Sequence, residues 1–289
     1  MSIAFNADCI LCHLRRNTAT ARSLGTEEQA IAFLKELMQL YQTVPADQSF
    51  TILNPEVSAL LKKHYGVDED RFRQEKIDSN RFVLSRLDQI RERVSKAEDT
   101  LYAALQFAVL GNYIDFGAPQ GEVSFDQLDQ LLDGAEKMDL DRDMYARLCA
   151  DMERGRKLLY LTDNAGEIGF DRVFAEEIAR KYPNLTITFC VRGGPANNDA
   201  TREDAAAVGI PFPVIDNGNR VPGTQIDLMS EESRAALEKA DVVIAKGMAN
   251  TETMYGCGHN VYYAFLVKCQ RFVNVFQKPM FTPILTSER

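Results

Sequence analysis

Lys157-Leu-Leu-Tyr-Leu161, followed by Thr162-Asp163-Asn164-Ala165-Gly166-Glu167, is the stretch that decides the fold. An apolar run of strand length breaks into acid, amide and glycine, and an amphipathic helix from Phe170 to Lys181, stopped by Pro183, follows it. Outward from there the pattern repeats. Leu185-Thr-Ile-Thr-Phe-Cys-Val191, Pro213-Val-Ile215, Asp241-Val-Val-Ile-Ala245 and Phe272-Val-Asn-Val-Phe276 read as further strands. Apolar strands alternating with helices build parallel β-α-β units with both sheet faces covered. The fold class is therefore α/β, with a Rossmann-like three-layer α/β/α core and a mostly parallel sheet.

The amino-terminal half reads as helices. Apolar positions Ile31, Phe33, Leu34, Leu37, Met38 and Leu40 recur at helical spacing behind Thr26, a candidate N-cap. A second helix starts at Asn54-Pro55-Glu56. A long charged helix is expected from Arg71 to Lys96, most simply with a solvated face, and another from Ala97 to Leu110, ending at Gly111. The expected organisation is a helical cap domain over residues 1–100 packed on a catalytic α/β/α domain over 101–289, with a cleft between them.

Composition narrows the function. The chain has 289 residues, 45% hydrophobic and 26% charged, which is ordinary for a folded globular protein. With 33 Lys+Arg against 42 Asp+Glu the net charge is −9, so nucleic acid and anionic lipid surfaces are not expected partners. Six unevenly spaced cysteines make no disulfide framework and fit a reducing cytoplasm. No leader or membrane-spanning run is expected, and the oligomeric state is not legible.

In parallel sheets ligands bind at the carboxyl ends of the strands. Three loops should meet there: Thr162 to Glu167, Arg192 to Thr201 and Lys246 to Glu252. Asp163, Asn164 and Asp199 offer hard oxygen ligands suited to Mg²⁺ or Mn²⁺. Lys246 supplies a point charge and Arg192 a fork for phosphate oxygens. The same residues also suit ordinary turns and helix caps, and it is their joint placement at three strand ends that favours a site. The D-N-A-G-E-I-G segment offers two glycines where a dinucleotide fingerprint has three, which argues against a nicotinamide site. Asp163 as a phosphorylated nucleophile is disfavoured because Ala165, not a second acid, stands two residues on.

Asp163-Asn164-Ala165-Gly166-Glu167-Ile168 with Phe170-Asp171, Asn198-Asp199-Ala200-Thr201 with Glu203-Asp204-Ala205, and Ala245-Lys246-Gly247 with Asn250 and Glu252 together resemble the damage-control phosphatase family. Cys9-x-x-Cys12, Lys76 with Asn80, and Gly111-Asn112-x-Ile114-Asp115 match its small prokaryotic branch, so the likeness runs from about residue 8 to 275. The resemblance implies a divalent-metal-dependent phosphatase, using Mn²⁺, Ni²⁺, Co²⁺ or Mg²⁺, that acts on small phosphorylated metabolites such as sugar phosphates. It implies Asp163, Asn164 and Asp199 as metal ligands and Lys246 on the phosphate. Arg192, Asn112, Asn198, Asn250 and Glu252 join as substrate contacts, and Asp115 or Glu167 as the group that accepts the water's proton. Met248 and Thr251 stand where the family usually has Gln and an aromatic residue, and Arg16 where a Gln commonly follows the cysteine pair. An S-adenosylmethionine-dependent protein carboxyl methyltransferase, an activity also linked to the family, is the alternative enzyme.

Cys9 and Cys12 allow a third function, a non-enzymatic metal or redox module. Asp8 is a candidate cap for a helix starting there, and a first-turn thiol has a lowered pKa. Zinc needs four ligands, and only His13 or His259 is on offer beside the pair. Two small residues packed on one helical turn is the plain alternative. Lys76 and Asn80 share a helix face that can reach the pocket. Cys149, Cys190 and Cys269 read as packed and His64 as solvated, while Tyr255 and His259 fit either a pocket wall or the core.

Overall fold

The computed structural model describes residues 3, 5–115 and 124–288. Helix α1 (Ala7–Leu24) starts at Asn6, whose side-chain oxygen accepts the Cys9 N–H at 3.1 Å; Asp8 falls inside the first turn rather than at the cap. Helix α2 (Glu27–Tyr41) opens on a capping box between Thr26 and Gln29. Helix α3 (Asn54–Tyr65) carries Pro55 in its first turn and stops at Gly66, φ 68°. The three share one apolar cluster around Phe33, Leu37 and Leu61.

The Arg71–Lys96 stretch is two helices, not one: α4 (Arg73–Leu84) and α5 (Leu87–Lys96). Ser85 Oγ donates to the Phe82 carbonyl at 2.6 Å and Arg86 is held by Asp129 at 2.7 Å, which turns the chain between them. Val83 and then Leu87, Ile90 and Val94 thereby bury in the same core. Helix α6 (Thr100–Gly111), capped by Asp99, is buried from Leu101 onward, as an all-round apolar helix must be. A Cβ on Gly111 would strike the Phe170 ring, so this glycine sets how closely α6 approaches the next long helix. Leu61 belongs to the apolar cluster of α1 to α3, while Val83 and the residues of α5 and α6 belong to the core shared with the sheet.

Helices α7 (Phe125–Leu132) and α8 (Arg142–Arg154) lead into strand β1 (Lys157–Leu161) and helix α9 (Glu167–Lys181). There follow β2 (Thr186–Val191), α10 (Arg202–Ala207), β3 (Val214–Asp216), α11 (Glu231–Lys239), β4 (Val242–Lys246), α12 (Gly247–Met254), β5 (Val261–Leu266), α13 (Gln270–Phe276) and β6 (Pro283–Ser287). The sheet order is β3-β2-β1-β4-β5-β6, parallel except for β6. Phe272–Phe276, expected as a strand, lies in α13: Phe272 and Phe276 are four residues apart and their rings meet at 5.5 Å, which is helical spacing. The fifth strand is instead Val261–Leu266, and β6 is a further strand that the sequence reading lacked.

Alternation builds the layers. Leu158, Tyr160, Val242, Ile244, Tyr262 and Ala264 belong to the core shared with α6 and α9. Leu159, Leu161, Val243, Ala245, Tyr263 and Phe265 belong to the core on the other face. The order reverses between β1 and β4, so their carboxyl ends open a crevice at the topological switch point. Among the described residues no helix is long and apolar enough to cross a membrane.

Candidate active site

The loops after β1 and β2 are zipped together by their backbones. Ala165 N–H donates to Asn198 O at 2.9 Å, Ala200 N–H to Asp163 O at 2.7 Å, and Asn164 pairs with Asp199 as an isolated bridge. Asp163 and Asn164 from the first loop and Asp199 from the second thus come to one place. Asp163 Oδ2 accepts from Asn112 Nδ2 at 3.0 Å and from Asn164 Nδ2 at 2.9 Å. Asp199 Oδ2 accepts from Arg192 Nε at 2.6 Å, and Asn164 Oδ1 from Asn198 Nδ2 at 2.9 Å. Gly247, φ 79°, is the cradle on the β4 side: a Cβ there would overlap the Asp163 carboxyl group.

These residues form the floor of a cavity of about 420 Å³ between the sheet edge and the helical half. Asp163, Asn164, Asn198 and Asp199 line it with Asp115 and Lys268. Lys268 Nζ donates to Asp115 Oδ2 at 2.5 Å and to Asn112 O at 2.8 Å. Burial raises the Asp163 carboxyl well above the usual carboxylate range, and the charges of Glu167 and Asp199 push it further against the pull of Lys268. Asp199 is raised for the same first reason, with Arg192 opposing. Burial alone would lower Lys268, but the charges of Asp115 and Asp163 override it and hold the ammonium above its usual value.

Lys246, Arg192, Asn112, Asn250 and Glu167 do not line the cavity; they hold up the residues that do. Strand parity is the reason for Lys246. It follows Val242 and Ile244 toward α9 and is fully buried there, donating to Ala108 O at 2.7 Å, Glu167 Oε1 at 2.8 Å and Asp171 Oδ1 at 2.6 Å. Those three acceptors use all three ammonium hydrogens. Burial would lower Lys246, yet Asp171 and Glu167 keep it above the usual lysine range. Facing one ammonium with two carboxylates, Asp171 is pushed up to about 7 by burial. Glu167 Oε2 accepts from Asn112 Nδ2 and Asn164 Nδ2, both at 2.9 Å. Arg192 is locked onto Asp199, and Asn250 Nδ2 donates to Thr162 O at 3.0 Å and Lys246 O at 2.7 Å.

Lys76 and Asn80 sit below the site rather than in it. Lys76 pairs with Asp204 at 2.8 Å; Asn80 donates to the same carboxylate at 2.8 Å and accepts the Gly166 N–H at 2.7 Å. Helix α4 thereby clamps both loops. Glu252 does line the cavity, accepting from Ser49 Oγ at 2.7 Å, and burial raises its carboxyl. Met248 is another wall, whereas Thr251 is buried with its hydroxyl on Gly247 O.

Cys9 and Cys12 line the opposite wall, on α1. Burial raises the Cys12 thiol, the reverse of the activation expected at a helix start. Among the described residues no group of three or more His, Cys, Asp and Glu side chains is arranged to hold a metal. His13 hydrogen-bonds Tyr41 Oη at 2.7 Å, and His259 precedes β5, at the sheet edge away from the site.

Sequence reading missed Lys268 and the arginines of the helical wall. Lys268 follows Leu266 on the same strand face as Lys246, but it stands beyond the strand end and so clears the covering helices. The signal was Val261-Tyr-Tyr-Ala-Phe-Leu266, an unbroken apolar run with a lysine two residues past its end.

A doubly wound, mostly parallel sheet with two carboxylates at its switch point, roofed by helices, places this cavity where open α/β sheets bind their ligands. The chain matches the family model of the damage-control phosphatase ARMT1-like domain over residues 5–282 and belongs to that family. That membership supports a phosphatase role. It is 31% identical over 272 residues to a damage-control phosphatase of Archaeoglobus fulgidus, covering 91% of each chain. It is 33% identical over 225 residues to a damage-control phosphatase of Pyrococcus horikoshii, covering 76% of this chain and 75% of that one. An uncharacterised protein of Methanocaldococcus jannaschii is 31% identical over 282 residues, 93% of this chain and 90% of that one. The crystal structure of a DUF89 family protein from Pyrococcus horikoshii superposes with a TM-score of 0.82 at 25% identity, covering 99% of both chains.

Proposed function

We propose that the protein is a divalent-metal-dependent phosphohydrolase acting on small phosphorylated metabolites, with its centre at Asp163, Asn164 and Asp199. The observation that carries this is the convergence of two carboxylates and an amide on one cavity floor, each anchored by a neighbour. The donor set fits the ion: hard oxygens suit Mg²⁺ or Mn²⁺, and two buried carboxylates on one floor favour a cation between them. Bound there, the ion would polarise a phosphoryl oxygen and lower the pKa of a water.

The remaining work falls to the chain. Asn112 and Arg192 fix the two carboxylates, so the floor needs little rearrangement during reaction. Lys268, rather than the enclosed Lys246, is the ammonium placed to hold a phosphate oxygen. Asp115, which lines the cavity and shares its carboxylate with Lys268, is the group we assign to take a proton from the attacking water, whereas Glu167 does not line the cavity and is engaged by Lys246, Asn112 and Asn164. A carboxylate and an amide occupy the loop after β1, which favours hydrolysis over methyl transfer. Hydrolysis of p-nitrophenyl phosphate by chelator-treated protein resupplied with Mn²⁺, Ni²⁺, Co²⁺ or Mg²⁺ is the test. Turnover restored by at least one ion is expected; none with any ion, alongside tight S-adenosylmethionine binding, would reverse the assignment.

A further inference from the structure

The helical wall of the cavity carries arginines that the proposed chemistry does not use. Arg15 and Arg16 on α1, Arg71 just before α4 and Arg271 on α13 all line it. Several arginines elsewhere find carboxylates, as Arg86 meets Asp129 at 2.7 Å, Arg91 meets Glu176 at 3.0 Å and Arg202 meets Asp216 at 2.6 Å, but those do not line this cavity. Among the described residues the Arg15, Arg16 and Arg71 guanidinium groups make no ion pair and no hydrogen bond. Arg71 is steadied by the Phe72 ring, 4.7 Å from its guanidinium carbon. Arg271 has its Nε buried without a partner, and its Nη1 reaches only the Cys9 sulfur at 3.8 Å.

Arg16 lies near enough to Arg71 for its charge to be felt there, so like charges face one cavity. Burial and the Arg16 charge both lower the pKa of Arg71, while Glu75 opposes them from too far away to pair. Guanidinium forks bind carboxylate and phosphate in matched planar geometry, so unpaired ones on a cavity wall mark where an anion belongs. The cavity of about 420 Å³ has room for more than a phosphate group.

We infer that Arg16 and Arg71 form an anion clamp for the far end of the substrate, so that the preferred substrates are phosphomonoesters carrying a second anionic group, a carboxylate or another phosphate. This rests on the phosphohydrolase assignment for the near end only. The clamp stands on the helical wall, opposite Asp163 and Asp199, and needs no metal to act.

Two matched pairs of esters test it: 3-phosphoglycerate against glycerol 3-phosphate, and fructose 1,6-bisphosphate against fructose 6-phosphate. The wild-type kcat/KM should favour the doubly anionic member of at least one pair by roughly tenfold or more, and that pair identifies the tail as carboxylate or phosphate. Changing Arg16→Gln with Arg71→Gln should abolish the preference through KM, while the singly charged ester loses less than about threefold. A second readout, the ligand-induced rise in thermal midpoint measured without metal, should be larger for the preferred ester and shrink in the double variant. No preference in the wild type, or equal losses on both members of a pair, overturns the clamp while leaving the phosphohydrolase intact. Absence of turnover with every metal, together with an arginine-dependent thermal shift, overturns the phosphohydrolase and keeps the clamp.

Discussion

Asp163, Asp199 and Lys268 on the sheet edge are each held by a hydrogen-bonding neighbour, whereas among the described residues Arg16 and Arg71, on the other side of the same cavity's lining, make no ion pair or hydrogen bond. The contrast separates two tasks. Groups that in the proposed reaction would hold the phosphoryl in fixed geometry are tied down at strand ends and backed by a buried lattice of Arg192, Lys246 and Glu167. Of the groups that would recognise the rest of a substrate, Arg16 sits on α1, which packs in its own apolar cluster away from the sheet, and Arg71 on the turn before α4.

The lattice side of that contrast breaks most severely at Lys246. Replacing Lys246→Met leaves Glu167 and Asp171 without their shared cation in a fully enclosed site, so we expect about 3–5 kcal/mol of lost stability, read as a lowered midpoint in chemical denaturation. An undiminished midpoint would mean that the lysine is no keystone. On the floor, Asp163→Ala should stay folded, since it removes a carboxylate that burial already disfavours, and Asp199→Asn should too, because the amide oxygen can still accept from the buried Arg192 Nε. Their kcat/KM on a phosphate ester should fall roughly 10²–10³-fold. Gly247→Ala joins stability and activity: it strains a φ of 79° and drives a methyl into the Asp163 carboxyl group, with about 1–3 kcal/mol expected from denaturation and a parallel loss of turnover.

The smallest effect belongs to the helical wall. Burial, and then the Arg16 charge, lower His13 from 6.5 to about 4. Because the unfolded chain takes up that proton first, stability should fall as pH drops from about 6.5 toward 4, by about 1–2 kcal/mol after allowance for partial solvent screening. His13→Gln should flatten this slope; an unaltered pH profile would show that the wall bears no such charge penalty.

Much of the fold was legible in the residues. Leu158 to Leu161 and Val242 to Ala245 are buried on both faces, so their apolar runs announced strands flanked by helices, and Asp163, Asn164 and Asp199 could be placed at strand ends by counting. Phe272-Val-Asn-Val-Phe276 was misleading because β-branched and aromatic residues say strand while the spacing of its two phenylalanines says helix, and packing on the sheet decided for the helix. The Ser85–Arg86 break was invisible because Asp129, the partner that holds Arg86 there, lies far along the chain. Lys246 illustrates the limit at the site: its position in the sequence puts it beside the crevice, but only the parity of β4 and the cover of α6 and α9 turn its ammonium away. Lys268 gained the cavity by standing two residues past a strand end instead of on it.

The central claim, that Asp163, Asn164 and Asp199 form a metal centre, is tested most directly by an anomalous difference map from crystals soaked with Mn²⁺ and phosphate. A single strong peak is expected within about 2.0–2.3 Å of an oxygen of each of the three, with phosphate density reaching toward Lys268. A peak at Cys9 and Cys12 with none on the cavity floor would contradict it.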